Sequence, residues 1–72
     1  MGVKWVAAGN GEVPDNAVRG GQEQGETLWV ARAWYKDNLV PGRVKSADKC
    51  CYIPYGNAEH TVYNYEVSPS SN

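Results

Sequence analysis

The chain has 72 residues, of which 42% are hydrophobic and 21% are charged, with a formal net charge of -1 at pH 7. This length allows one domain, whose small core needs extra stabilisation from disulfides, a metal or a second subunit. Seven basic against eight acidic residues leave no positive excess for a phosphate backbone, and no apolar run reaches the length of a membrane helix. The composition therefore argues against two domains, a nucleic-acid partner and a membrane span.

The amino terminus and the cysteines bear on where the protein is located and on what stabilises it. Lys4 and Trp5 come early, and no apolar core of a signal peptide follows, so we expect a cytoplasmic protein or one secreted without a leader. Cys50 and Cys51 are adjacent, and a strand would direct them to opposite faces, which does not suit a disulfide framework. With His60 as the single histidine, we expect no metal and no other cofactor. A second copy of the chain remains as the stabilising element.

Strand-forming residues dominate the apolar set, with nine valines and eight aromatic residues against two leucines and one isoleucine. Taken in chain order, the pattern predicts six strands, over residues 3–8, 17–20, 27–35, 40–45, 51–55 and 61–67. Gly, Pro and Asn predict the turns between them, at residues 9–11, 14–16, 20–21, 24–25, 36–38, 41–42 and 55–57. No window shows a helical apolar stripe free of Gly and Pro. The sequence predicts an all-β protein with a small antiparallel sheet.

The clearest alternation of apolar and polar residues lies in the third predicted strand. One face of this strand carries Trp29, Ala31, Ala33 and Tyr35, and the opposite face carries Leu28, Val30, Arg32 and Trp34. Arg32 either requires a carboxylate or carbonyl partner or extends into solvent from an open face. In the last predicted strand, the alternation places Thr61, Tyr63, Tyr65 and Val67 on one common face.

The ordered domain is predicted to span residues 1–67, and residues 68–72 are predicted to be a disordered polar tail. A single sheet of this size has nothing of its own to cover its second face. We therefore expect a homodimer, completed by exchange of the terminal strand between two chains.

Catalytic groups are sparse, and we expect a protein that is not an enzyme. Cys50 or Cys51 could pair with His60 as thiol and imidazole, but a triad needs further groups that the sequence does not place. Acidic, basic and amide side chains in Gly-rich turns, set among Tyr and Trp, suit recognition of a polyol with an apolar ring face. The same aromatic residues also fill β-sheet cores, so composition alone leaves both interpretations open.

Several separated motifs follow one another in the order of a known repeat. They comprise Trp5 and residues 11–21, 28–33, 39–44, 51–56, 59–60 and 65–67. Over nearly its whole length, the chain resembles the DM-nine repeat, and residues 1–67 would form a single repeat. This repeat occurs in invertebrate mannose-specific lectins, in cytosolic immune-response proteins and in the amino-terminal part of natterin-like toxins. The resemblance implies an innate-immunity lectin that binds mannose or mannose-rich glycans without metal.

The resemblance also implies a site and an assembly. Characterised lectins of this type look like two tandem repeats with exchanged strands, so a single repeat implies a homodimer. The implied carbohydrate-binding residues are Glu23 with Gln22 beside it, Arg43 with Gly42 before it, Asn38, and Glu59 acting directly or through a neighbour. Glu and Arg stand where the lectins have Asp and Lys, which keeps the charges and changes the geometry.

Two alternatives accompany this interpretation. Glu23 and Arg43 could form a surface ion pair with no ligand. The repeat could also be a non-catalytic interaction or assembly module of an immune-response or toxin-type protein, without a sugar site.

Overall fold

The computed structural model describes residues 4–69 and contains seven strands and one short 3-10 helix. The strands are β1 (Val6–Gly9), β2 (Arg19–Glu23), β3 (Glu26–Tyr35), β4 (Asn38–Lys45), β5 (Cys50–Tyr55), β6 (Ala58–Val62) and β7 (Asn64–Val67), with the 3-10 helix at Ser46–Asp48. All the strand pairs are antiparallel. The prediction of an all-β antiparallel sheet is confirmed. Within residues 4–69 no helix is long and apolar enough to cross a membrane.

The long strand β3 organises the sheet. The strand order is β1-β7-β3-β4-β5-β6, and β2 also pairs with β3. One edge of β3 pairs with β4 along its length, while the other edge is shared between β2 near its start and β7 at Ala31 and Arg32. β2 and β7 therefore lie along one edge of β3, and β4, β5 and β6 follow in order from its other edge.

The inner face of the sheet carries the core. Its buried members are Ala31, Ala33, Val40, Val44, Cys51, Ile53, Tyr65 and Val67. Ala8 of β1 and Val62 of β6 extend this cluster beside their cross-strand partners Tyr65 and Cys51. Val13 and Ala17, in the segment between β1 and β2, also pack against it, so part of the cover that we expected from a second chain comes from this segment.

Two glycine motifs that predict turns lie inside strands instead. A Cβ at Gly42 would collide with the carbonyl oxygen of Tyr52 and would approach Cγ2 of Ile53 to 2.6 Å. Residues 41–42 therefore belong to β4, where the glycine permits close contact with β5. Gly21 lies in β2 at φ +135°, next to a one-residue shift in register that marks a β-bulge.

The strand predicted over residues 61–67 is divided at Tyr63, which is 56% exposed. Before this residue the chain pairs with β5, and after it β7 pairs with β1 and β3. The predicted common face is wrong for its first half, because Tyr65 and Val67 are buried while Thr61 and Tyr63 are exposed.

The start of the predicted tail is ordered. The backbone of Ser68 accepts a hydrogen bond from Val18 N at 2.9 Å and donates one to Val30 O at 3.1 Å, and Pro69 forms a bridge with Ala17. Both residues of the supposed tail are buried. The remaining residues of that prediction, 70–72, lie outside the described residues.

The outer face of β3 contains a charge pair. Arg32 Nε donates to Glu66 Oε1 of β7 at 2.6 Å, so of the alternatives that the sequence left open for this arginine, the structure has the carboxylate partner. Both cysteines are buried free thiols.

Candidate functional site

An open cleft of about 360 Å³ lies on the outer face of the sheet. It is lined by Glu23, Leu28, Pro41, Gly42, Arg43, Tyr52, Pro54 and Glu59. The volume falls within the usual range for small-ligand sites. Four of the six residues that the sequence nominated for sugar binding, Glu23, Gly42, Arg43 and Glu59, therefore meet in one place.

Strand register explains why these side chains converge. Arg43 of β4 lies opposite Tyr52 of β5, and Pro54 of β5 lies opposite Glu59 of β6. Cross-strand partners point to the same face, and so do residues two apart on one strand. The residues between them, such as Val44 and Ile53, point inward to the core.

Arg43 is held in place by backbone carbonyls. Its Nε donates to Gly20 O at 2.9 Å, and its Nη1 donates to Gly42 O at 3.3 Å. The side chain passes over Val30 to reach β2, and a Cβ at Gly20 would lie 2.8 Å from Arg43 Cδ and Nε. Gly20 is therefore required for this path, which fixes the guanidinium before any ligand arrives.

Glu23 pairs with Lys45 rather than with Arg43. Lys45 Nζ lies 3.2 Å from Glu23 Oε1 and 3.8 Å from Asp48 Oδ2, and Tyr52 donates its hydroxyl hydrogen to Asp48. The bond to Glu23 raises the pKa of Lys45, and the bond to Asp48 raises the pKa of Tyr52. The ion pair between Glu23 and Arg43, offered as the alternative to a sugar site, is not present. The pairing with Lys45 engages one oxygen of Glu23, and no hydrogen bond among residues 4–69 engages the other.

Two nominated residues lie away from the cleft. Gln22 pairs with Thr27 and follows the alternation to the side opposite Glu23. Asn38 donates from Nδ2 to Lys36 O at 3.0 Å and to Tyr55 OH at 2.9 Å, so its amide stabilises the turn between β3 and β4. Neither side chain is among those that line the cleft.

The apolar residues that line the cleft were not predicted from the sequence. They are Leu28, Pro41, Tyr52 and Pro54. Their common face follows from alternation once β3, β4 and β5 are paired, but the pairing itself links residues far apart in the chain. Lys45 was missed for the same reason.

Cys51 lacks the features of a catalytic thiol. It is fully buried, and burial together with the adjacent Cys50 raises its pKa to about 11, whereas a nucleophilic cysteine needs a lowered pKa. His60 stacks on Tyr35 at 4.6 Å between ring centroids, and its Nδ1 lies 3.2 Å from the Tyr35 hydroxyl. Across residues 4–69, no three His, Cys, Asp or Glu side chains are grouped so as to hold a metal ion.

Comparison with known proteins identifies the family. The model of the DM9 repeat matches residues 1–62 of the chain. No curated protein matches the chain. The match covers most of the 72 residues, and the chain belongs to the DM9 repeat family.

Proposed function

We propose that the protein is a non-catalytic lectin that binds mannose or mannose-rich glycans in the outer cleft without a metal ion. The observation that supports this proposal is the convergence of Glu23, Glu59 and Arg43 with an aromatic and proline surface in one cleft. A hexose offers hydroxyls that both donate and accept, together with an apolar ring face. The cleft provides a partner for each.

Each polar group has a distinct part in this binding. Glu23 and Glu59 accept hydrogen bonds from neighbouring hydroxyls, and Arg43 donates to a sugar oxygen from its terminal nitrogens. Tyr52 and Pro41 contact the C–H face of the ring. Because the Arg43 guanidinium is already held by the carbonyl of Gly20, its part in binding costs less side-chain entropy.

Titration with methyl α-mannoside and methyl α-galactoside, followed by tryptophan fluorescence and calorimetry, tests the proposal. We expect saturable binding of the mannoside, weaker binding of the galactoside, and no change when EDTA is added. Absence of mannoside binding would refute the lectin function and favour an assembly module, and loss of binding in EDTA would indicate a metal-dependent site.

The proposed assembly is a homodimer formed by exchange of β7. This strand is only four residues long, lies between β1 and β3, and is joined to β6 through Tyr63 alone. Short connections of this kind favour exchange of an identical strand between copies. Light scattering at about 10 µM protein is expected to give twice the chain mass, since a tight dimer forms well below this concentration. A particle with the mass of one chain would contradict the dimer.

A further inference from the structure

A second groove lies on the outer face, between β3 and β7. It has a volume of about 250 Å³ and is lined by Arg32, Ala33, Trp34, Asn64, Tyr65 and Glu66. None of these residues lines the first cleft. The groove forms because β7 pairs with β3 only at Ala31 and Arg32, so Trp34 extends beyond the paired region.

Trp34 is the most exposed large hydrophobic side chain of the described residues, at 65% exposure. An indole ring in this position presents a flat apolar surface to solvent at the side of the groove. Such a surface stacks against the C–H face of a pyranose ring.

The polar part of the groove is an organised charge pair. Arg32 and Glu66 are joined through Nε and Oε1 at 2.6 Å, and the Arg32 guanidinium lies 4.1 Å from the ring centre of Trp5. Their side chains remain 30% and 36% exposed. The bond uses one nitrogen and one oxygen, and within residues 4–69 no other hydrogen bond engages the terminal nitrogens of Arg32 or the second oxygen of Glu66. The pair can therefore donate to one hydroxyl and accept from its neighbour.

The two grooves are neighbours on one face. Arg32 of the groove lies directly opposite Pro41 of the cleft, and Arg43 of the cleft lies opposite Val30. From Val30 to Trp34 the strand rises about 13 Å. A short oligosaccharide can bridge this distance, whereas a single sugar ring cannot.

We infer that the Trp34 groove is a second saccharide subsite, and that the protein binds an oligosaccharide chain running from the cleft across Pro41 to Trp34. This inference rests on the proposed lectin function for its first subsite. It identifies the ligand as a linear glycan of several sugar units. The second subsite stacks one pyranose on Trp34 and bonds its hydroxyls to Arg32, Glu66 and Asn64.

Calorimetry with methyl α-mannoside and with linear α-mannose oligomers of two to five units tests this inference. In the wild-type protein, affinity is expected to rise about tenfold from the monosaccharide to the longer oligomers, the effect of one added stacking contact. Trp34→Ala should abolish this rise and leave the monosaccharide affinity unchanged. Trp34→Phe, which keeps an aromatic face, should retain most of it. Tyr63→Ala, a change at another exposed aromatic residue that lies outside the groove, is the control and should bind the oligomers as the wild type does.

The outcomes separate this inference from the proposed function. Mannoside binding with the same gain from chain length in wild type and Trp34→Ala would overturn the second subsite and leave the lectin function intact. Oligomer binding that depends on Trp34, without any monosaccharide binding, would support the groove and refute the proposed cleft site. Absence of all binding would overturn both. If Trp34→Ala instead halved the mass in light scattering and left oligomer binding unchanged, the groove would be an interface between copies, and the inference would fail.

Discussion

Replacing Arg43 by alanine is expected to weaken binding of methyl α-mannoside about 10- to 100-fold, which corresponds to the loss of one hydrogen bond from a charged donor. The side chain is exposed in the cleft, and its hydrogen bonds go to the backbone carbonyls of Gly20 and Gly42. Its removal should therefore change the free energy of unfolding by less than about 1 kcal/mol. Calorimetry measures the affinity, and urea denaturation measures the stability of the same variant.

Two further variants distinguish the position of the guanidinium from its charge. Arg43→Lys keeps the charge, but a single nitrogen must then serve both Gly20 O and the sugar hydroxyl, which Arg43 meets with separate nitrogens in a fixed plane. It should therefore recover only part of the affinity. Gly20→Ala keeps the guanidinium but introduces a Cβ 2.8 Å from its Nε, so it should weaken binding by displacing Arg43. Wild-type affinity in Arg43→Ala would exclude this residue from the binding site.

Replacing Ile53 by alanine is expected to lower the free energy of unfolding by about 2 to 5 kcal/mol, through lost burial and the cavity left behind. Ile53 is the largest fully buried side chain of the described residues and lies where β5 meets β4 at Gly42. A chain of this length has a total stability of about 4 to 11 kcal/mol, so the variant should lose a large fraction of its stability.

Urea denaturation followed by tryptophan fluorescence measures this loss, and Ile53→Val, which removes one methyl group, is the matched control with an expected loss of about 0.5 to 1.5 kcal/mol. The denaturation midpoint should also rise with protein concentration if the folded protein is a dimer. A loss below about 1 kcal/mol for Ile53→Ala would contradict the core described for this chain.

The sequence was sufficient to predict the features that depend on local alternation. The alternation placed Ala31 and Ala33 on one face of β3, which is buried, and Arg32 on the other, where a carboxylate was one of the partners considered and Glu66 is the one found. Motifs whose conformation depends on a distant strand were misread. Gly42 is required by contact with β5, so the same dipeptide that is typical of a turn lies here within a strand.

The candidate site was predictable in part for the same reason. Family resemblance gave Glu23, Arg43 and Glu59, which the structure brings to one cleft. It could not give Lys45, because the contact with Glu23 needs β2, β3 and β4 to be in register. The break at Tyr63 was also hidden, since neither glycine nor proline marks the point where the chain leaves β5 for β1 and β3.

The central claim is that the outer cleft binds a mannose-type sugar, and mapping of backbone amide shifts by NMR tests it most directly. In a titration with methyl α-mannoside, we predict that the largest shifts occur at Gly42, Arg43, Tyr52 and Glu59, which line the cleft. Sugar at about 10 mM would fill most of even a weak site, with a binding free energy near −4 kcal/mol. Shifts confined to other surfaces, or no shifts at this concentration, would contradict the claim.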